Sequence, residues 1–259
     1  MASEGQYQLV NGDGSKMDLL RSGEADLVLT GPPYSSDETL QLLQAPVRLQ
    51  NEFDRVKNEV TEFALGLRSV YQEIRRVLRP GGFVVVQTKD IYYGGFIISI
   101  ANLHREMVES TGLKLLSKVS WHKFQRRSGA KKFLDHPTVG SYRNDRVEDI
   151  FVFSDSVDDT KAHGLVELDE CELKKAVSPL WLIGPGSKYS EHPHKASKAL
   201  VSRIIALFTD RGDLVVDPFC GSGTTLEVAV AMGRRAVGYE LNERYTNAAD
   251  SALTHFFSH

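Results

Sequence analysis

The stretch Leu29–Ser35 reads LTGPPYS and places two prolines and a tyrosine directly after the apolar run Asp26–Leu29. Proline fixes φ and lacks a backbone N–H, so this stretch is excluded from the interior of a central strand. A rigid step of this kind at a strand end is either a surface turn with a tyrosine packed beneath it or part of a functional site. The residues in question are Gly31, Pro32, Pro33 and Tyr34.

A second stretch with chemical potential lies in the C-terminal third, DLVVDPFCGSGTTLEVAVAMGRRAVGYEL. An apolar strand ends at Asp217, a Gly-Ser-Gly turn and a helix follow, and the next strand ends at Glu240. In open α/β sheets, ligands bind beyond the carboxyl ends of strands, where glycines admit them and a helix N-terminus offers free amides. An acidic residue there can accept both ribose hydroxyls. The arrangement therefore suits an adenosine-containing cofactor, the alternative being a glycine turn that only packs strand on helix.

A dinucleotide-dependent oxidoreductase is the first rival interpretation of this glycine turn. Its fingerprint requires a third glycine three residues after the second, but position 226 is leucine. The fingerprint also usually lies near the start of its domain, whereas this turn lies near the C-terminal end of the sequence. The sequence therefore argues against an oxidoreductase.

The elements that must position these residues alternate between strands and helices. The apolar patterns predict strands at Tyr7–Val10, Asp26–Thr30, Phe83–Val86, Lys114–Phe124, Val147–Phe153, Leu214–Asp217 and Ala236–Tyr239. They predict helices at Val60–Leu78, Phe96–Val108, Ala196–Phe208, Thr224–Met232 and Asn242–Phe257. This alternation predicts an α/β fold with a doubly wound, mostly parallel sheet and helices on both faces.

Composition and net charge limit which classes of protein and partner remain. A chain of 259 residues with net charge −3 fits one large domain and gives no global sign of a nucleic-acid partner. No apolar run approaches the roughly 18 residues that a membrane span needs, so we expect a cytoplasmic protein without a membrane partner. Two cysteines, Cys171 and Cys220, make neither a disulfide framework nor a metal cluster.

Two motifs together resemble those of the amino-methylating DNA methyltransferases. Asp217–Thr225 (DPFCGSGTT) is similar to their S-adenosylmethionine motif, and Gly31–Tyr34 (GPPY) is similar to their catalytic (Asp/Asn/Ser)-Pro-Pro-Tyr motif. The catalytic motif comes first, which is the circularly permuted order of the beta class. Further stretches match family landmarks: Asn11-Gly12-Asp13, Arg79-Pro80-Gly81-Gly82, Trp121-His122-Lys123, Glu148–Phe153 and His192-Pro193.

The resemblance implies a Rossmann-like, permuted S-adenosylmethionine-dependent methyltransferase fold and assigns roles to single residues. The aspartate of the Gly-Asp element contacts the cofactor adenine. The base is flipped out of the duplex, its amine donates to the Pro32 carbonyl, and Tyr34 stacks on the ring. The predicted cofactor-binding residues are Asp13, Asp217, Pro218, Phe219, Gly221, Ser222, Gly223, Thr224 and Glu240.

Gly31 departs from the family pattern, because family members carry Asp, Asn or Ser there as a second acceptor for the target amine. Loss of one neutral hydrogen bond costs roughly 0.5–1.5 kcal/mol, which would slow the reaction without abolishing it. A water or Ser35 is a candidate replacement. Thr30 and the small Gly31 are nearer to the Thr-Ser-Pro-Pro-Tyr pattern of cytosine-N4 enzymes than to the adenine pattern.

A basic segment lies between the two motifs. From Lys114 to Arg146 there are nine Lys or Arg residues against two aspartates, whereas Asp155–Glu172 carries seven acidic residues against Lys161 and resembles an exposed loop. A basic patch binds DNA phosphates, although a solvated face is the alternative. We expect DNA contacts from Lys123, Arg126, Arg127, Lys131, Lys132 and Arg143, within a DNA-contacting, target-recognition insert at 114–180.

The sequence therefore predicts a single methyltransferase domain over 1–259 that methylates double-stranded DNA at cytosine N4, as the modification enzymes of restriction–modification systems do. Adenine N6 is the alternative target, and a catalytically silent DNA- or cofactor-binding module is the alternative class, because of Gly31. The resemblance also suggests a homodimer. No metal is expected, because His192 and His194 lack a matching ligand set, and Cys220 lacks the preceding proline of cytosine-C5 enzymes and is interpreted as structural.

Overall fold

The computed structural model describes residues 6–34, 36, 50–93, 95–123, 147–156, 170–185 and 196–257. Within them the strands are β1 (Tyr7–Asn11), β2 (Ala25–Thr30), β3 (Leu78–Thr88), β4 (Ile91–Tyr93), β5 (Phe96–Ile98), β6 (Lys114–Lys123), β7 (Val147–Ser154), β8 (Leu180–Ile183), β9 (Leu214–Asp217) and β10 (Arg235–Glu240). The helices are α1 (Gln50–Gly66), α2 (Arg68–Val77), α3 (Ile100–Glu109), α4 (Glu170–Ala176), α5 (Lys198–Phe208), α6 (Thr224–Ala231) and α7 (Glu243–Phe257).

Eight of these strands form one sheet in the order β1-β10-β9-β2-β3-β7-β6-β8. β7 is antiparallel to both of its neighbours, and every other pair in the sheet is parallel. The predicted α/β architecture with a mostly parallel sheet is confirmed. The strands β6 and β7, from the interval 114–180, are members of this sheet, and a target-recognition role for the rest of that interval stays a prediction.

Apolar side chains on the two faces of the sheet pack against two separate sets of helices. On one face, Val28 and Val84 pack with residues of α2 and α3, including Tyr71, Ile74 and Met107. The opposite face, which includes Leu27, Leu29 and Val85, packs with residues of α5, α6 and α7, including Ile204, Leu226 and Leu253. This alternation along each strand follows from the two-residue period of strand side chains. The molecule is therefore a three-layer sandwich of helices, sheet and helices.

The strand order reverses between β9 and β2. From β9 the chain continues outward to β10, which pairs with β1, and from β2 it continues outward in the other direction to β3. In a doubly wound sheet the ligand crevice lies at such a switch point, beyond the carboxyl ends of the strands. Both predicted motifs follow these two central strands, because the glycine turn comes after β9 and the Pro-Pro-Tyr step comes after β2.

Two predicted helices differ from the structure. The pattern over Val60–Leu78 forms two helices, α1 and α2, that break at Leu67. The helix predicted at Phe96–Val108 begins only at Ile100, because Phe96–Ile98 pairs with Ile91–Tyr93 as a two-stranded sheet. In that hairpin Ile91, Tyr93 and Ile98 pack on α1, and Gly95 adopts φ +89°. Local pairing around a glycine thus outweighed the helical periodicity of the sequence.

No helix in the described parts of the chain is both long and apolar enough to cross a membrane.

Candidate active site

The glycine turn after β9 joins the strand directly to α6. Gly221 and Gly223 have φ +50° and +75°, in the left-handed region that favours glycine, and Gly223 is the residue before the first turn of α6. The Gly223 amide donates to the Cys220 carbonyl at 2.8 Å, which closes the turn. Pro218, Phe219, Ser222 and Thr224 complete the predicted cofactor segment. The turn therefore brings tightly packed, largely buried backbone to the carboxyl edge of the sheet.

Glu240 ends β10 beside this turn and is half-buried. Its carboxylate accepts the Gly221 amide at 3.0 Å on Oε2 and the Asn242 amide at 2.8 Å on Oε1. Each carboxylate oxygen has a further lone pair. Glu240 is thus fixed by two backbone donors while it still offers acceptor capacity towards the open edge.

Asp217 is 5 % exposed and holds the glycine turn through hydrogen bonds to its side chain. Its carboxylate accepts the Thr225 hydroxyl at 2.6 Å and the Phe219 amide at 3.1 Å. Burial raises the pKa of Asp217 from its ordinary value of 3.8 to about 6, against the lowering effect of these two hydrogen bonds, and the nearby Glu240 carboxylate raises it further. The group is therefore a buried carboxylate whose ionisation is costly in the folded chain.

The loop after β1 reaches the same edge from the N-terminal end of the chain. The Gly12 amide donates to the Glu240 carbonyl at 3.0 Å, and the Asn11 side chain donates to the same carbonyl at 3.1 Å. Asp13 is exposed, and its carboxylate accepts the Ser15 amide at 2.8 Å. A Cβ on Gly14 would lie 2.6 Å from the Pro218 carbonyl oxygen, so this loop packs tightly on the cofactor turn.

The Pro-Pro-Tyr step follows β2 with Gly31 exposed, Pro32 buried and Pro33 partly buried. The Tyr34 ring packs on the apolar cluster formed by α1 and the β4–β5 hairpin, and the Lys89 ammonium lies 5.3 Å from its centroid. Burial of the hydroxyl, with a contribution from the Glu148 carboxylate, raises the pKa of Tyr34 well above 10.0. Tyr34 is therefore a neutral phenol whose ring lies at the carboxyl edge.

A polar row that sequence reasoning missed lies next to this step. Glu148 on β7 is 3 % exposed and accepts the Gln87 side-chain amide at 2.5 Å. Its other carboxylate oxygen pairs with the Lys123 ammonium, which lies 5.0 Å from the Trp121 ring centroid. Gln87 directly follows the apolar run Phe83–Val86, and Glu148 lies shortly before the apolar run Ile150–Phe153. A polar side chain at the end of a buried apolar run was the signal available in the sequence.

The predicted DNA-contacting residues are mostly outside the described parts of the chain. Lys123 is described, and its partner is the Glu148 carboxylate; a DNA contact of Lys123 stays a prediction. Arg126, Arg127, Lys131, Lys132 and Arg143 lie outside the described residues, as do Ser35 and His192-Pro193.

Cysteine nucleophilic chemistry and metal binding are two possible uses of this edge. Burial raises the pKa of the Cys220 thiol far above its ordinary value, so this cysteine is not a ready nucleophile. Within the described ranges, no group of three or more His, Cys, Asp and Glu side chains could hold a metal ion. The acceptors Asp13, which is exposed, and Glu240, which is half-buried, lie beside the left-handed glycine turn and suit a ligand with several hydroxyl and amine donors.

Comparison with known proteins gives one family and several relatives. The family described as DNA methylase (N6_N4_Mtase) matches residues 25–251. Type II methyltransferase M.MjaI of Methanocaldococcus jannaschii is 25% identical over 92% of this chain and 88% of that protein. DNA adenine methyltransferase YhdJ of Escherichia coli K12 is 47% identical over a shorter match, 22% of this chain and 20% of that protein. The solved cytosine-N4-specific PvuII DNA methyltransferase has a TM-score of 0.67 at 20% identity, over 98% of this chain and 92% of that one.

Proposed function

This chain belongs to the N6/N4 DNA methylase family, and on that premise we propose that it methylates the exocyclic N4 amine of cytosine in double-stranded DNA. The observation that carries the proposal is the adjacency of β2 and β9, which places the Pro-Pro-Tyr step beside the Gly-Ser-Gly turn. One loop would hold the amine and the other the methyl donor. The donor is S-adenosylmethionine, as in the rest of this family.

The residues at the carboxyl edge fit that donor. When bound, S-adenosylmethionine supplies an electrophilic methyl group on a sulfonium. Asp13 and Glu240 would accept hydrogen bonds from its adenine amine and ribose hydroxyls, because Asp13 follows β1 and Glu240 ends the neighbouring strand β10. The glycine turn at Gly221 and Gly223 lets the backbone approach the ligand closely.

The Pro-Pro-Tyr step would hold the target base. An exocyclic amine reacts best when its nitrogen lone pair points at the methyl carbon, and that orientation requires acceptors for both N–H groups. The Pro32 carbonyl is one proposed acceptor, and the Tyr34 ring is the proposed stacking platform. The base must leave the duplex to reach this edge, so base flipping is part of the proposal.

Cytosine is favoured over adenine by the residues before Pro-Pro-Tyr. Thr30 followed by the small Gly31 is similar to the Thr-Ser-Pro-Pro-Tyr pattern of cytosine-N4 enzymes. Adenine N6 is the second candidate, and the local 47% identity to DNA adenine methyltransferase YhdJ favours it. The similarity to Type II methyltransferases supports a modification role in a restriction–modification system.

The experiment incubates the protein with unmodified genomic DNA and S-adenosylmethionine that carries a deuterated methyl group. The DNA is digested to nucleosides, and mass spectrometry separates N4-methylcytosine from N6-methyladenine. Deuterated N4-methylcytosine is the expected product. Deuterated N6-methyladenine would replace the cytosine assignment by the second candidate, and no labelled base despite tight cofactor binding would identify a silent module.

A further inference from the structure

The side chain that Gly31 lacks would project from a known face of the sheet. Along β2, Leu27 and Leu29 point to the face that packs on α5 and α6, so position 31 continues the same row. Among the residues that the structure describes, a Cβ built on Gly31 would meet one neighbour within 4 Å, the Gln87 carbonyl oxygen at 3.8 Å. These residues therefore leave room at the position where family members carry an acceptor.

Gln87 lies beside this space and on the same face. Thr30, the last residue of β2, is the register partner of Val86, so Gly31 lies level with Gln87 on the neighbouring strand. Val85 belongs to the cluster that contains Leu29, and Gln87 follows it by two residues. Gln87 on β3 therefore lies next to the position that a side chain at residue 31 would occupy. Its own side chain carries an amide.

The orientation of the Gln87 amide follows from its partner. A carboxylate accepts hydrogen bonds and donates none, so the amide nitrogen faces Glu148, at 2.5 Å, and the amide oxygen faces away. Within the described residues the Gln87 side chain makes no second hydrogen bond. Gln87 is only partly buried, so its Oε1 is an oriented acceptor at the edge of the proposed base site.

We propose that Gln87 Oε1 accepts a hydrogen bond from the second N–H of the target amine and so replaces the acceptor that is missing at Gly31. This inference rests on the proposed function. The target amine has two N–H groups, and the Pro32 carbonyl and the Gln87 amide oxygen provide one acceptor for each. Gln87 is then a catalytic residue in direct contact with the substrate.

Glu148 and Lys123 act through Gln87 and are positioning residues. Glu148 is buried, and its two oxygens are shared between the Gln87 amide and the Lys123 ammonium. The ammonium holds the carboxylate in place, and the carboxylate prevents the amide from turning its nitrogen towards the substrate. The three side chains come from three neighbouring strands, β3, β7 and β6.

The test measures single-turnover methylation of saturating DNA by Gln87→Leu, Gly31→Ser and the double variant, together with S-adenosylmethionine affinity. Gln87→Leu should be slowed roughly three- to tenfold, the value of one neutral hydrogen bond at the transition state, with unchanged cofactor affinity. Gly31→Ser alone is the reference for the double variant, because it carries the acceptor of the family with Gln87 still in place. In the double variant the serine hydroxyl should restore the rate to within about twofold of the parent.

The rescue by Gly31→Ser separates an acceptor from a merely structural glutamine. Gln8→Leu on β1, an exposed strand position away from the site, is the matched control and should methylate at the parental rate. If Gln87→Leu has a lowered melting temperature, Gln87→Met, which keeps length and flexibility, takes its place in the comparison. If Gln87→Leu methylates at the parental rate, or if the double variant is as slow as Gln87→Leu, the inference is overturned and the proposed function still stands. A parent that methylates no DNA would overturn the proposed function, and this inference with it.

Discussion

The Gly221 amide donates a hydrogen bond to the Glu240 carboxylate across 3.0 Å, and this bond ties the glycine turn after β9 to the end of β10. Gly221 follows β9 and Glu240 ends the neighbouring parallel strand β10, so both residues lie at the carboxyl edge of the sheet. A carboxylate held in this way is already oriented before a ligand arrives. Orientation in advance reduces the entropy that binding must otherwise lose.

Replacement of Glu240 by alanine should weaken cofactor binding. Hydrogen bonds to a charged group contribute roughly 1.5–3 kcal/mol each, so the affinity for S-adenosylmethionine should fall at least about tenfold. Isothermal titration calorimetry in the absence of DNA measures this loss. Glu243→Ala, at the exposed start of α7, is the control and should bind like the parent. Unchanged affinity of Glu240→Ala would mean that the cofactor lies elsewhere.

The raised pKa of Asp217 predicts a pH-dependent term in stability. The folded pKa of about 6 lies above the ordinary 3.8, so folding favours the protonated form. The contribution of Asp217 is therefore fully present below about pH 4 and is lost as the pH rises through about 6. The difference in unfolding free energy between the parent and Asp217→Asn should shift in favour of the parent as the pH falls from 7 to 4, by up to about 3 kcal/mol.

Urea unfolding at a series of pH values measures this difference, since groups that do not interact with Asp217 titrate equally in both proteins. Asp250→Asn, an exposed carboxylate of α7, is the control for a surface amide substitution. A difference that stays constant between pH 4 and pH 7 would contradict a buried, costly carboxylate at Asp217.

Much of the cofactor side of the site follows from the sequence alone. The strand end at Asp217 and the helix start at Thr224 agree with the predicted bounds, because glycines with positive φ punctuate the chain between them. The end of α2 at Val77 was also predicted, since Arg79-Pro80-Gly81-Gly82 cannot continue a helix.

The polar row could not be predicted in the same way. Gln87, Glu148 and Lys123 are distant in the sequence and become neighbours only through the pairing of β3 with β7 and of β7 with β6. Hydrophobic periodicity assigns residues to strands but contains no information on strand order. The β4–β5 hairpin was missed for a related reason, because a short apolar run such as Phe96–Ile98 fits a helix or a strand equally well.

The basic segment should bind DNA phosphates rather than read bases. Arg126→Ala combined with Arg127→Ala should weaken specific and non-specific DNA equally and should flatten the slope of log K against log salt, by up to about two if both residues contact phosphates. Fluorescence anisotropy at several salt concentrations gives the slope. Arg211→Ala combined with Arg235→Ala is the control, since these exposed residues lie before β9 and at the start of β10, opposite the site. An unaltered slope in the first pair would indicate a solvated face.

Tyr34 provides the test that separates an enzyme from a binding module. If its ring supports the flipped base, Tyr34→Ala should lose roughly 1–3 kcal/mol of stacking, and misorientation of the amine should lower methyl transfer further. Tyr34→Phe is the matched control, because it keeps the ring and removes only the buried hydroxyl, and it should retain most of the activity. The Lys89 ammonium now lies over this ring, so a bound base would have to displace it.

Both variants are compared by single-turnover methylation with saturating DNA and by S-adenosylmethionine binding without DNA. Cofactor affinity should change little in either variant, because Asp13, Gly221 and Glu240 lie at the ends of other strands. Methylation by Tyr34→Ala at the parental rate would refute the stacking role. Loss of methylation and cofactor binding together would instead indicate that Tyr34 supports the apolar cluster of α1 and the β4–β5 hairpin, on which its ring packs.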